Sequence, residues 1–319
     1  MTRSRFDCLP CPVLALFLFI FLPAIAGAKQ IPPKQVELAA GWQMQFATKV
    51  PQTGAQIATA GFKTGGWYAA TVPGTVLTTL VNNHVYPEPL YGENIRPDVI
   101  PESLAHQAYW YRTTIAIPRA YKGHHIWLNF DGINFSAEVW VNGAAAGTIR
   151  GAFIRGTFDI TAHARPGGVA VVAVLVRPQP HPGKPHVHTL RTGIGPNGGI
   201  SSIDGPTFLS TIGWDWLPTI PDRDTGIWQK VYLSATGPVV VKNPYVTTDL
   251  PLPRTDSANV TVQATLENIT DKREKGVLQG AFGEIKFARS VDLAPHSTQT
   301  VTFDAGNTPA LHMEQPRLW

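Results

Sequence analysis

Apolar and polar residues trade places at short intervals from Tyr109 onward, with the period of extended chain rather than of helix. Tyr109 to Ile117 (YWYRTTIAI) and Ile126 to Phe130 (IWLNF) are rich in aromatic and β-branched residues, the types that suit a pleated, half-buried surface. Glu138 to Val141 (EVWV) runs into Asn142-Gly143, a pair that tolerates the positive φ angles of a type I′ turn and so predicts a hairpin tip. Phe158 to Thr161, 169–176 (VAVVAVLV) and Trp228 to Ser234 continue the series. The unbroken apolar run at 169–176 predicts a central strand covered on both faces. From Val239 the texture changes to strict alternation at Val260 to Leu266, Val277 to Phe282, Ile285 to Val291 and Thr298 to Phe303, as in a half-exposed antiparallel sheet. One helix is predicted, Thr75 to Asn83, entered through Val72-Pro73-Gly74.

Ahead of these elements, Arg3 and Arg5 precede an apolar run from Val13 to Leu22, followed by the small residues Ala26-Gly27-Ala28. That run is too short for a membrane span and ends at Pro23, so residues 1–28 read as a secretory signal peptide. Its removal leaves no membrane segment and implies a secreted or periplasmic protein. Both cysteines, Cys8 and Cys11, fall inside it, so the mature chain is expected to lack thiols and disulfides. The remaining length exceeds what one sandwich needs, and two domains are expected, 29–238 and 239–319. A charged fraction of 15%, with 29 glycines and 28 prolines, supports an all-β protein. The net charge of +4 is too small and too scattered for a nucleic-acid partner.

Few motifs carry chemistry. Gly193-Ile-Gly195-Pro-Asn-Gly198 matches GxGxxG, but it follows a His- and Pro-rich segment and runs into Gly199. It therefore joins no strand to a helix, and no dinucleotide or other cofactor is expected. His181, His186 and His188 share a proline-rich stretch with no nearby carboxylate or cysteine, so they read as exposed histidines and no metal is expected. Residues 213–228, GWDWLPTIPDRDTGIW, hold three of the nine tryptophans. If Trp214, Asp215 and Trp216 are extended, the indoles face one side and the carboxylate the other. Either the indoles fill a core and Asp215 caps a turn, or Asp215, with Asp222 and Arg223, faces a cleft and pairs with sugar hydroxyls while an indole stacks on the ring.

A series of ordered motifs bears on that choice: Trp67-Tyr68, Val72-Pro73-Gly74-Thr75-Val76-Leu77, Tyr91-Gly92-Glu93-Asn94, Tyr109-Trp110-Tyr111-Arg112, Phe130-Asp131-Gly132-Ile133-Asn134, Val139-Trp140-Val141-Asn142-Gly143, Phe158-Asp159-Ile160-Thr161 and Gly213-Trp-Asp-Trp through Thr225-Gly226-Ile227-Trp228. Together they resemble the N-terminal half of family 2 glycoside hydrolases, most of all the exo-β-D-glucosaminidase and β-mannosidase branch. The resemblance implies a jelly-roll, galactose-binding-like sandwich followed by an immunoglobulin-like sandwich, and a carbohydrate partner with a terminal β-linked glucosamine or mannose-type sugar. It implies that Asp215, and with it Trp216, Asp222 and Arg223, contacts that sugar.

In the family a TIM barrel carries the two catalytic glutamates, the acid/base following an asparagine. This chain contains no Asn-Glu dipeptide and has no room for a barrel of about 250 residues. Retaining hydrolysis needs two carboxyls about 5 Å apart, so no catalytic residue is assigned and the chain alone is expected to be inactive. The end, Gln315-Pro-Arg-Leu-Trp319, resembles a Leu-Trp-Trp-Pro segment that lies inside the relatives' second sandwich, so that sandwich is expected to be incomplete, with about five strands instead of about seven. A finished, noncatalytic carbohydrate-binding module and a purely structural β protein remain alternatives.

Overall fold

The structure, a computed structural model, describes residues 20–23, 34–184 and 220–318. It is built almost entirely of strands and divides into two compact units between Thr236 and Gly237. Among the described residues no strands close into a barrel, and no helix is long and apolar enough to cross a membrane.

The first unit is a two-sheet sandwich. One sheet has six strands in the order Tyr68–Ala69, Gln43–Phe46, Tyr109–Ala116, Val169–Arg177, Ser136–Val141 and Ala144–Arg150; the other has four, Val36–Glu37, Val231–Thr236, His125–Phe130 and Gly156–Asp159. Apolar residues that alternate along each strand fill the space between the sheets, among them Met44, Tyr111, Val139, Val172 and Val174 from one and Leu128, Phe130 and Leu233 from the other. Each such side chain contributes about 1.5–3 kcal/mol by leaving water.

Val169–Arg177 is central, as its unbroken apolar run predicts, and pairs with Tyr109–Ala116 on one side and Ser136–Val141 on the other. Its second face is covered too. Ala173 and Leu175 join Trp110 and Trp140 in a separate cluster under Val50, Ile57 and Ala58 from the 47–58 segment. The hairpin tip at Asn142-Gly143 forms as expected, with φ angles of 49° and 86°.

The expected helix runs Val76–Asn82 with Thr75 as its N-cap, the hydroxyl of Thr75 accepting from the Thr78 N–H at 3.2 Å. Several strand boundaries differ from the sequence expectation. Phe158 and Asp159 pair within Gly156–Asp159, whereas Thr161 lies beyond the strand. The strand expected from Trp228 begins at Val231, because Trp228 is held by its indole N–H to the Ala152 carbonyl at 2.9 Å and Gln229 by its N–H to Gly132.

The second unit is an immunoglobulin-like sandwich. Val239–Asp249, Ser257–Asn268 and Thr298–Phe303 pair in that order, and the short strand His312–Glu314 joins the other end of Ser257–Asn268. The facing sheet contains Glu274–Phe282 and Ile285–Leu293, with Ile20–Pro23 on the outer edge of Glu274–Phe282. Ser257–Asn268 alternates buried and half-buried residues without a break. Val262, Ala264 and Leu266 meet Leu278, Phe287 and Phe303 in the core, where the rings of Phe287 and Phe303 lie 4.7 Å apart.

Candidate functional site

Among the described residues, the most polar part of the first unit's interior is the turn at 220–225, within the tryptophan-rich stretch. Arg223 and Asp224 adopt φ angles of 50° and 54°, and the Arg223 N–H donates back to Ile220 at 3.0 Å. This folds Asp222 inward, where it is fully buried. One carboxylate oxygen accepts from the Leu77 N–H at 2.6 Å and the other from the Asp224 N–H at 3.0 Å. The Val76 N–H donates to the Thr225 carbonyl at 2.7 Å. Two of the N–H groups that a helix leaves unpaired in its first turn are thus satisfied from a segment far along the chain, and the carboxylate also complements the positive end of the helix. Burial raises the Asp222 pKa, and the hydrogen bonds from Leu77, Thr75 and Asp224 oppose that rise.

Arg223 performs a second tethering. Its guanidinium donates to the carbonyls of Pro182 at 2.6 Å and Ile220 at 2.7 Å, and pairs with Glu102 at 2.5 Å. One side chain therefore bonds the main chain on both sides of residues 185–219. The arginine side chain is only 3% exposed and that of Glu102 22%, so losing either partner would strand a charge in a low-dielectric setting.

Asn134 closes the arrangement. Its backbone exchanges hydrogen bonds with Gly226 at 2.9 and 2.8 Å, and its side-chain amide donates to the carbonyls of Arg223 and Asp224. Gly226 has a φ of 151°, and a Cβ there would lie 2.6 Å from the Gly74 carbonyl and 2.8 Å from the Thr75 Cα. Only glycine fits. The segments at 72–77, 131–134 and 225–228, widely spaced in sequence, thus meet at one place.

The Asp224 carboxylate differs from that of Asp222. It is partly exposed and makes no hydrogen bond or ion pair among the described residues. Burial, and then the charge of Asp222, push its pKa up to about 7, against the pull of Arg223. Beside this region an open cleft of about 520 Å³ is lined by Phe135, Pro182, Arg150 and Arg177 among others.

Of the residues singled out from sequence, Asp222 and Arg223 come together here, with their polar atoms engaged by the protein itself. Asp215 and Trp216 lie outside the described residues, as do the GxGxxG segment, His186 and His188. His181 is described and exposed. Among the described residues no three of His, Cys, Asp or Glu group as a metal site. Glu102 and Asp224 escape sequence reasoning: Glu102 lies 121 residues from its partner Arg223, within an unremarkable Pro-Glu-Ser segment. The local chemistry is that of a brace joining Pro182, Ile220 and Glu102, and among the described residues it offers no pair of free carboxyls for acid/base work.

Residues 42–229 match the family described as glycosyl hydrolase 2 galactose-binding domain-like. The chain belongs to glycoside hydrolase family 2. Among family members it is 31% identical, over 96% of its own length, to an exo-β-D-glucosaminidase of Streptomyces avermitilis, and covers 32% of that protein. It is 32% identical to the mannosylglycoprotein endo-β-mannosidase of Lilium longiflorum over 90% of this chain and 30% of that one. The structure is similar to that of the exo-chitosanase CsxA of Amycolatopsis orientalis, with a TM-score of 0.70 and 27% identity across 90% of this chain and 30% of that chain. The chain thus spans about a third of the length of these relatives, and its first sandwich matches the family's N-terminal galactose-binding-like jelly roll.

Proposed function

We propose that this chain is the noncatalytic, sugar-facing N-terminal portion of an exported family 2 glycoside hydrolase acting on terminal β-linked sugars of the glucosamine or mannose type. The observation that carries this reading is the 31% identity to an exo-β-D-glucosaminidase, sustained along 96% of the chain. The active carboxyls belong to a TIM barrel supplied by the remainder of such an enzyme, and the apolar N-terminal segment directs export.

The four candidate residues divide in role. Asp215 and Trp216 meet the sugar, the carboxylate accepting hydrogen bonds from hydroxyls or from an ammonium and the indole stacking on the ring. Asp222 and Arg223 anchor the end of the same stretch, which fits their burial and their bonds to Leu77, Pro182 and Glu102.

The test joins this chain to the remaining domains of a close relative and assays aryl β-glucosaminide and β-mannoside. The chain alone turns over neither, and the fusion turns over at least one. In the fusion Asp215→Asn lowers kcat/KM about tenfold or more, since a charge-assisted hydrogen bond is worth about 1.5–3 kcal/mol, with little change in melting temperature. Unchanged kinetics with lost stability would make Asp215 a structural cap. Saturable sugar binding by the chain alone, with an inactive fusion, would favour a stand-alone carbohydrate-binding module.

A further inference from the structure

The open cleft beside the brace has a feature independent of Asp215. Ser136 stands directly opposite Arg177 on one neighbouring strand and directly opposite Arg150 on the other. Opposed residues of antiparallel strands share a face with Cβ atoms about 4.5–5.5 Å apart, so the three form one row with a hydroxyl between two guanidiniums. The buried neighbours Ala137 and Val176 point to the core, which puts the row on the outer face of the sheet. Farther along that face the sheet is covered by the cluster containing Trp140 and Ala173. Among the described residues nothing covers the row itself, which lines the cleft.

The charges do not balance locally. Arg177 pairs with Glu138, one position removed on the same face, whereas the Arg150 guanidinium has no ion pair or hydrogen bond among the described residues. Like charges gathered on adjacent strands are unfavourable unless an anion comes between them. The cleft's volume of about 520 Å³ suits a ligand of one or two rings. Its lining combines Phe135 and Pro178, which offer apolar contact to a ring, with His106 and Gln107, which can pair with hydroxyls.

We propose that this cleft binds an acidic saccharide, its carboxylate or sulfate held between Arg150 and Arg177 with the Ser136 hydroxyl donating to the same oxyanion. Guanidinium forks match the planar, multi-oxygen geometry of such groups. The site is built from residues other than the four assigned to the terminal sugar, so either can fail without the other.

The test titrates the full chain with methyl β-glucuronide, glucosamine 6-sulfate, uncharged methyl β-glucoside and inorganic sulfate, following heat or amide shifts near Ser136. At least one anionic sugar binds about tenfold or more tightly than the neutral glucoside, and binding weakens with added salt. Arg150→Gln lowers that affinity about tenfold while the melting temperature stays put, because the side chain is exposed and unpaired. Preference for the glucuronide or for the sulfate identifies the oxyanion, and equal binding assigns both. Four results would overturn the site: neutral glucoside binding as well as the acidic sugars, inorganic sulfate binding as well as both of them, no saturation by either acidic sugar, or an Arg150→Gln protein of unchanged affinity.

Discussion

Asp222 in the first unit reaches 145 residues back to Leu77, and Arg223 reaches 121 residues to Glu102. In the second unit the side chain of Asn268, buried to the same degree, finds its partners at Thr270, Lys272, Leu293 and Ala294, none more than 26 residues away. The first sandwich closes its polar interior with charges brought together from distant loops. The second uses one neutral amide to tie two neighbouring turns. A buried charge with protein partners is costly to disturb from either side, whereas a neutral amide puts only its own hydrogen bonds at stake. The difference matches the anchoring role proposed for Asp222 and Arg223, for which the second unit has no counterpart among the described residues.

The comparison breaks most sharply at Asp222. Replacing it with alanine leaves the buried Leu77 N–H and the part-buried Asp224 N–H without their acceptor, each costing about 1–3 kcal/mol, so a loss of about 2–6 kcal/mol is expected. Eight of the nine tryptophans precede Gly237, so indole fluorescence during urea unfolding reports the first unit. The midpoint seen by fluorescence should fall steeply in Asp222→Ala and less in Asp222→Asn, which keeps one acceptor. An unchanged midpoint would mean that the helix at Val76–Asn82 is capped adequately by Thr75 alone.

A smaller effect is expected in the second unit. The Asn268 amide donates to Lys272 at 2.6 Å and Ala294 at 2.9 Å, and its oxygen accepts from the Thr270 N–H at 3.0 Å. Asn268→Ala should cost about 2–3 kcal/mol. It should shift the unfolding followed by far-ultraviolet circular dichroism and leave the fluorescence transition where it was. A matching shift in both signals would show that the units unfold as one cooperative body, and the contrast between them would lose its thermodynamic meaning.

Legibility in the sequence follows the same divide. Ser257–Asn268 and Ile285–Leu293 are readable from alternation alone, because each strand buries one face and pairs with a near neighbour. The hairpin at Asn142-Gly143 and the Thr75 cap are readable because turn and cap chemistry is local. Trp228, expected inside a strand, is instead held by the Ala152 carbonyl and sits over Gly132, a contact no periodicity encodes. The short strand His312–Glu314 lacks the length to show a period. At the candidate site, charge and aromatic content singled out Asp222 and Arg223 but not the direction in which they point, since that depends on the positive φ angles at Arg223 and Asp224. Glu102 and Asn134 become visible only when three distant segments are brought together.

The smallest effect is expected at Asp224, and its sign is reversed. Burial and the nearby Asp222 charge raise its pKa from 3.8 to about 7 in the folded chain, so between those values the folded state holds a proton that the unfolded state has released. Its contribution is most favourable below about pH 4, declines as pH rises toward 7 and is flat above. Asp224→Asn removes that decline, keeping the backbone bonds that Asn134 makes to residue 224. Because the side chain is partly exposed, the full linkage energy must be discounted, and the variant should exceed the parent by about 1–2 kcal/mol at pH 8 and by nothing at pH 4. Asp222 is also raised by burial, so some slope should persist in the variant. Fluorescence-detected urea midpoints for both proteins across this range decide the matter. A parallel pair of curves would show that Asp224 ionises as it does in water, and that the turn's one partnerless carboxyl is better solvated than its surroundings imply.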